Sequence, residues 1–409
     1  MPTRAARTSA ALAVLFTLAA SPAVVAQQPT YPMFKVSGRL QTQFYYADNK
    51  DYQGLAATTS DFFLRRARIQ VEGKVTDRVS FVIQPSYENG RSGVRLRDAF
   101  LDIRLSPMDA KSTLTFRMGQ EKRPFGRYEL TSSNNLPSLE RGAARGLVPF
   151  ASNNLFEGNG FLSHDVGASL IFNAPLGDDH PVTLQAGVYN GTGESVQDVN
   201  GAKSFGLRGT IAVTRMLNVG ASWYSHDGIV VIQGTPDSAF RNTAFGLDAQ
   251  WGKTGEPGLY LVGDYMDGKD FTAAKNGIRG ISVVGAWHVR LANGGWLYAI
   301  EPAARFDFAD ANTDNPDDGA TLISGGVNLY LSATAQLRLM VEHQSFQASG
   351  APSITGVRWA VTVNFCTGPA GRRPVPDAGA TPGVATSDLA LGPSDRPPLL
   401  SRDIRDTPP

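Results

Sequence analysis

The feature that most constrains this chain is a two-residue alternation of apolar and polar side chains, which recurs from residue 35 to residue 365. In the first such segment, the even positions from Phe34 to Tyr46 are mostly apolar and the odd positions from Lys35 to Tyr45 are mostly polar. Successive side chains of a β-strand point to opposite faces, so each segment predicts a strand with one apolar face. A strand in hydrocarbon must bond its backbone to neighbouring strands, which a closed sheet achieves. The pattern therefore predicts an all-β transmembrane barrel with a wet lumen.

A count of the alternating segments predicts about 16 antiparallel strands in an up-and-down barrel. The predicted ranges are 33–46, 62–75, 79–88, 94–105, 112–119, 161–173, 182–190, 203–213, 217–225, 240–251, 258–267, 278–290, 296–308, 319–330, 335–346 and 354–365. A soluble β-sandwich also alternates and is the competing fold. The N-terminus, the composition and the loop lengths all favour the barrel.

The N-terminus is typical of an exported protein. Arg4 and Arg7 precede an apolar run over residues 10–20, and Val24-Val25-Ala26 supplies the small residues of a cleavage site. We predict a signal peptide over residues 1–26, a barrel domain over 27–365 and a disordered Pro-rich tail over 366–409. The apolar run is shorter than the roughly 20 residues of a membrane-spanning helix. Export without a helical anchor favours the bacterial outer membrane.

The composition argues against several other classes of protein. Charged residues make up 18% of the chain and the formal net charge is +1. The chain is therefore too polar to be a helical membrane protein. The single cysteine, Cys366, excludes an internal disulfide. The five histidines have neither metal-ligand spacing nor a companion nucleophile. We expect no enzymatic activity, no cofactor, no metal and no nucleic-acid partner.

The predicted connections alternate in length along the chain. Short ones, such as 76–78, 214–216 and 332–334, follow even strands and are expected to be periplasmic turns. Longer ones follow odd strands and are expected to be extracellular. The longest, residues 120–160, follows strand five and is too long for an ordinary connection. We predict that this third extracellular loop folds into the lumen and narrows the pore.

Several short motifs carry a family resemblance. They are Ser37-Gly38-Arg39-Leu40-Gln41, the segment 63–68, Arg97-Asp98-Ala99-Phe100, the segment 118–126, Glu129-Leu130-Thr131-Ser132-Ser133 and Glu140-Arg141. In this order they resemble the phosphate-selective porins O and P, chiefly over residues 34–145. The resemblance implies a sixteen-stranded, trimeric porin with a cationic constriction that passes small phosphate-like anions. Outer-membrane lipid and lipopolysaccharide would surround it.

The resemblance also implies a set of anion-contacting residues. The matching positions are Arg39, Arg65, Arg66, Asp98, Ser132, Ser133 and Arg141. Strand parity alone places Arg39 and Arg66 inward, whereas Arg65 has the opposite parity and needs a local twist or bulge to reach the lumen. A one-residue slip in the match would replace Asp98 by Arg97. Arginine suits this role because its planar, permanently charged fork binds phosphate oxygens.

The charge distribution supports anion passage, but two departures leave the preferred anion open. Residues 31–145 contain 19 Lys and Arg against 12 Asp and Glu, an excess of seven in a chain of net charge +1. Glu129 stands where phosphate-selective members carry a lysine, and residues 226–239 lack an arginine run. We therefore favour a general or differently tuned anion porin over a phosphate-specific one. A non-transporting barrel, acting as a surface adhesin or a structural anchor, is the alternative.

Overall fold

The computed structural model describes residues 31–48, 60–88, 93–142, 151–177, 180–198, 200–230, 238–292 and 295–367. The predicted signal peptide, 1–26, lies outside the described residues, as does the predicted tail beyond Thr367. No helix in the described part is long and apolar enough to span a membrane.

Sixteen strands form one closed antiparallel barrel, which confirms the predicted fold class. Each strand pairs with its neighbours in sequence, and β1 pairs with β16 to close the sheet, with Gly38 opposite Phe365. The strands are β1 Met33–Asp48, β2 Ser60–Lys74, β3 Val79–Glu88, β4 Val94–Arg104, β5 Thr113–Lys122, β6 His164–Leu176, β7 His180–Tyr189, β8 Ser204–Ala212, β9 Leu217–Val230, β10 Ser238–Trp251, β11 Gly258–Lys269, β12 Gly277–Arg290, β13 Ala299–Asp310, β14 Gly319–Tyr330, β15 Ala335–Phe346 and β16 Ile354–Cys366.

The two faces of the barrel differ in chemistry, as the alternation predicts. Leu247 and Ile323 point outward and are each 54% exposed. Their strand neighbours of opposite parity, Asp248 and Ser324, point inward and are buried. Outward apolar side chains suit lipid, whereas inward polar ones need partners or water. The lumen is consequently where nearly every charge of the strands is placed.

The pairing extends some strands beyond their predicted ends. β5 continues to Lys122 rather than ending at residue 119, because the ladder to β6 includes Lys122 opposite His164. β9 and β10 reach Val230 and Ser238, with Asp227 opposite Arg241, so half of the predicted loop 226–239 is strand. Its remaining part, 231–237, lies outside the described residues.

Two β-bulges change which side chains face the lumen. Between β1 and β2, Gln41 pairs with Arg66 and Thr42 with Leu64, so Arg65 is an extra residue. Between β3 and β4, Arg97 and Asp98 together oppose the single residue Gln84. A bulge of this kind bends the strand and re-aims the side chains beside it. The first one supplies the irregularity that a lumenal Arg65 requires.

The segment between β5 and β6 packs against inward-facing side chains of the barrel. It contains two short helices, α1 Arg127–Leu130 and α2 Ser152–Gly158. Inward Gly280 leaves room for α2, since a Cβ built there would lie 2.7 Å from Cβ of Ser152. Segment and wall share an apolar cluster of buried side chains, made of Phe125, Phe156, Phe161, Leu162, Tyr189, Tyr224, Ala244, Met266 and Ile278.

Candidate functional site

Arg39 and Arg66 lie on the inward face of β1 and β2, where their parity places them. They are only 2% and 3% exposed. Arg39 donates from Nη1 to the backbone carbonyl of Ser133. Arg66 donates to Oε1 of Gln41 at 2.7 Å and to Oε2 of Glu140 at 2.9 Å. Both arginines therefore hold the β5–β6 segment against the wall.

Arg65, the extra residue of the β2 bulge, also reaches Glu140. Its Nε and Nη2 donate to Oε1 and Oε2 of Glu140 at 2.7 and 2.8 Å. This is the parallel geometry that makes arginine–carboxylate pairs strong. Burial favours a higher pKa for Glu140, but Arg65 and Arg66 outweigh it and hold the pKa well below its usual range. Glu140 is thus a charged anchor of the segment at neutral pH.

The predicted serines and Arg141 lie in the same segment as Glu140. The Ser133 hydroxyl accepts from Nη1 of Arg68 at 3.3 Å, and the Ser132 hydroxyl accepts from the backbone N–H of Asn134 at 3.3 Å. Arg141 donates from Nε to the carbonyl of Tyr128 at 3.1 Å. The same Nε lies 3.6 Å from Oε2 of Glu129. Arg141 and Glu129 therefore partly neutralise each other.

Asp98 and Arg97 both point inward at the β4 bulge. Oδ1 of Asp98 lies 3.2 Å from Nε2 of His164. Arg97 contacts Glu194 at 2.7 Å and Glu88 at 3.8 Å. The bulge brings the two candidate positions, which the sequence match could not separate, into one cluster.

Three arginines that the sequence analysis did not single out bind the segment from β13, β15 and β16, the strands that follow β1 on its other side in the closed sheet. Arg305 of β13 donates to the carbonyls of Glu140, Arg141 and Gly142. Arg338 of β15 donates to those of Leu136, Pro137 and Ser138. Arg358 of β16 lies 3.8 Å from Oε1 of Glu140. Their alternating positions in the strands indicated that these arginines face inward. That alternation does not show which residue, some 200 positions away, each of them contacts.

The start of α1 is fixed by two acids of the far wall. Asp264 of β11 accepts the backbone N–H groups of Arg127 and Tyr128 at 2.9 and 2.8 Å. Asp248 of β10 accepts from Nε of Arg127 at 2.6 Å and from Nη1 of Arg208 at 2.7 Å. The segment thus contacts a continuous part of the wall that runs from β10 through β16 to β1 and β2.

The inward cations differ in their access to solvent. Five of the arginine side chains that bind the segment, Arg39, Arg66, Arg305, Arg338 and Arg358, are at most 3% exposed. Five others, on β2, β4, β5 and the segment itself, keep between 11% and 20% of the side chain exposed. These are Arg65, Arg68, Arg97, Lys122 and Arg141. All of them except Arg141 lie on strands β2 to β5.

The sequence comparison identifies the family. The model of the phosphate-selective porins O and P matches residues 34–240, about half of the chain. This chain belongs to the phosphate-selective porin O and P family. The match includes β1 to β9 and the whole segment that contains Ser132, Ser133 and Arg141. No curated protein sequence matches the chain.

Solved porin structures share the fold of this family member at low sequence identity. An anion-selective porin from Comamonas acidovorans has a TM-score of 0.53 and 16% identity, covering 82% of this chain and 100% of its own. The outer membrane channel DcaP of Acinetobacter baumannii has a TM-score of 0.52 and 12% identity, covering 81% of this chain and 97% of its own. The trimer form of OmpT, an outer membrane protein of Vibrio cholerae, has a TM-score of 0.51 and 13% identity, covering 82% of this chain and 99% of its own.

Family and fold together make this phosphate-selective porin O and P member a channel of the outer membrane. They favour a channel over the non-transporting barrel. Within the described residues, no group of three or more His, Cys, Asp or Glu side chains is placed to hold a metal ion.

Proposed function

We propose that this porin prefers anions and that permeant ions pass between the β5–β6 segment and strands β2 to β5. The exposed fractions of Arg65, Arg68, Arg97, Lys122 and Arg141 support this path, because only accessible cations meet a permeant ion. The β5–β6 segment is then the constriction. A row of moderate sites suits a pore, which must release what it binds.

The observation that carries the anion preference is how the buried arginines are partnered. Arg39 and Arg338 are enclosed, yet within the described residues neither has a carboxylate at ion-pair distance. Their partners are backbone carbonyls of the segment. A carbonyl satisfies the hydrogen bonds without cancelling the charge, so both guanidinium groups add to a positive potential in the lumen. Low-dielectric walls focus such a field and raise the local concentration of anions.

The permeant class we propose is small inorganic anions, phosphate included, moving by passive diffusion. Two acids temper the field: the side chain of Asp98 is 25% exposed and that of Glu129 is 10% exposed. This balance supports a general anion porin over one with a deep phosphate site. Of the seven residues that the family resemblance assigns as anion-contacting, Arg65 and Arg141 keep accessible side chains. Arg39 and Arg66 are enclosed, so their proposed contribution is to the field.

We infer a homotrimer surrounded by outer-membrane lipid and lipopolysaccharide, with no catalytic role. The trimer described for a solved protein of this fold supports the homotrimer. The exposed apolar side chains of the outer face support the contact with lipid. Migration of unheated and heated samples in a denaturing gel tests the trimer. A single monomer band before heating would contradict it.

The decisive experiment is the reversal potential of single channels in a KCl gradient. We expect the sign of an anion-selective pore, and a cation-selective sign would overturn the proposal. Arg97→Gln should lower the chloride-to-potassium permeability ratio by about twofold, since it removes one accessible charge from the path. Arg78→Gln is the matched control, because Arg78 lies in the β2–β3 turn and donates to the carbonyl of Ser106. Phosphate added to the bath should reduce chloride current only weakly.

A further inference from the structure

Lys122 and Glu129 meet at the edge of the proposed path. Lys122 is the last residue of β5, and its ammonium donates to the backbone carbonyl of Glu129. Nζ also lies 4.0 Å from Oε1 of the Glu129 carboxylate. Glu129 is the residue whose negative charge departs from the phosphate-selective pattern. Lys122 of β5 thus places a positive charge beside the Glu129 carboxylate.

Arg141 completes a three-charge cluster with these two residues. Its Nε lies 3.6 Å from the second carboxylate oxygen of Glu129, and Nδ2 of Asn153 donates to that oxygen at 3.3 Å. The cluster of Lys122, Glu129 and Arg141 has a net charge of +1, whereas Glu129 and Arg141 alone would be neutral. Its charge therefore depends on Lys122.

The carboxylate cannot easily leave this cluster, because α1 is fixed at its start. Asp264 accepts the N–H groups of Arg127 and Tyr128, two residues and one residue before Glu129. Meanwhile, the side chains of Lys122 and Arg141 remain 19% and 14% exposed, and that of Glu129 10%. A permeant ion on this path consequently meets all three charges at once.

We propose that Lys122 is a specificity-determining residue, which cancels the Glu129 carboxylate and so keeps the constriction anion-preferring despite an acid at that position. The proposal rests on the proposed anion preference. Without the ammonium, Glu129 and Arg141 would neutralise each other, and the cluster would lose its positive charge. The nearby Arg97 and Asp98 carry opposite charges and leave that balance unchanged.

A purely structural role for Lys122 is the competing explanation, since its hydrogen bond to the Glu129 carbonyl also tethers α1 to β5. The two roles use different groups of Glu129, the backbone carbonyl or the side-chain carboxylate. A tether acts through the carbonyl and is indifferent to the Glu129 side chain. Charge cancellation acts through the carboxylate, so removing that carboxylate should restore selectivity in a Lys122 variant.

The test is a set of reversal potentials in a KCl gradient at about pH 6, a mildly acidic pH that favours the protonated form of a lysine. The variants are Lys122→Met, Glu129→Gln, the double variant Lys122→Met/Glu129→Gln, and Lys122→Arg. Lys35→Met is the matched control, because it removes a lumenal lysine of β1 that pairs with Glu72 at 3.5 Å, far along the chain from the constriction. Trimer migration in gels checks that each variant assembles.

We expect Lys122→Met to lower the chloride-to-potassium permeability ratio about two- to threefold, more at low salt than at high salt because screening weakens the effect. Glu129→Gln should raise the ratio, while the double variant and Lys122→Arg should lie near wild type. A double variant as impaired as Lys122→Met, or a Lys122→Met ratio equal to that of Lys35→Met, would overturn the inference. A wild-type pore that prefers cations would instead overturn the proposed function itself.

Discussion

The Arg65 guanidinium holds the Glu140 carboxylate in a parallel pair of hydrogen bonds, at 2.7 Å from Nε to Oε1 and 2.8 Å from Nη2 to Oε2. The pair exists because a β-bulge makes Arg65 an extra residue of β2 and lets it share the carboxylate with Arg66. Glu140 also accepts from Nε2 of Gln43 at 2.9 Å. One acid thus joins β1, β2 and the β5–β6 segment.

Replacing Glu140 with Gln should release this side of the segment. The change leaves two buried or part-buried arginines without their carboxylate, a loss of about 3–5 kcal/mol when a buried pair is broken. We expect faster proteolytic cleavage within residues 123–163 and a lower midpoint of denaturant unfolding. Glu256→Gln is the control, since Glu256 lies in an exposed turn 3.7 Å from Lys253. Equal behaviour of the two variants would contradict the anchoring role.

The attachment of the segment at Glu140 should be insensitive to mild acid. The arginines hold the pKa of Glu140 well below its usual range, whereas in the unfolded chain it is about 4.3. A depressed folded-state pKa gives a stabilisation that is complete above the unfolded value and is lost only as the pH falls through the folded one. Protease susceptibility of the segment should therefore stay constant from about pH 7 to about pH 5. A loosening centred above pH 5 would be evidence against this assignment.

Gly119 should not tolerate a side chain. It has a φ of +136°, and a Cβ would lie 2.2 Å from the carbonyl oxygen of Ala99 on β4. Gly119→Ala should cost at least about 1–3 kcal/mol of backbone strain and lower the yield of folded barrel. Gly263→Ala is a control on β11, because the nearest heavy atom there is 3.8 Å from the added Cβ. Refolding yield, followed by the heat-dependent gel shift, distinguishes them, and a normal yield for Gly119→Ala would refute the prediction.

Asp264→Ala should free the start of α1. Two buried backbone N–H groups, those of Arg127 and Tyr128, would lose their acceptor, at about 1–3 kcal/mol each. We expect noisier single-channel current as the segment fluctuates. Asp267→Ala on the same strand is the control, since Asp267 is part-exposed and pairs with Arg279 at 3.0 Å. Quiet current in the Asp264 variant would mean that the other contacts suffice.

The strands were predictable because their signal is local. A period of two is visible within a few residues, and it placed Arg39 and Arg66 inward without knowledge of any partner. The same rule ended β5 three residues early, since the alternation weakens near Gly119 while the ladder to β6 continues to Lys122. Lys122, on which the proposed selectivity depends, was therefore assigned to the loop and not to the strand.

The attachment of the β5–β6 segment was less predictable, because its contacts join residues far apart in the chain. Nothing in the local sequence indicates that Arg338 binds the carbonyls of Leu136 and Pro137. Nor does parity distinguish the enclosed Arg39 from the part-exposed Arg68, which occupy opposing positions of β1 and β2.

The sequence by itself determined the barrel, its strand order and which residues face inward, because a strand's side-chain direction follows from its own backbone. The tertiary structure decided which inward cations remain accessible and which are enclosed by the β5–β6 segment. It also decided, through the bulges at Arg65 and at Arg97 and Asp98, where parity fails. The physical reason is that accessibility and charge pairing depend on groups brought together by closing the sheet, and only the folded barrel defines those distances.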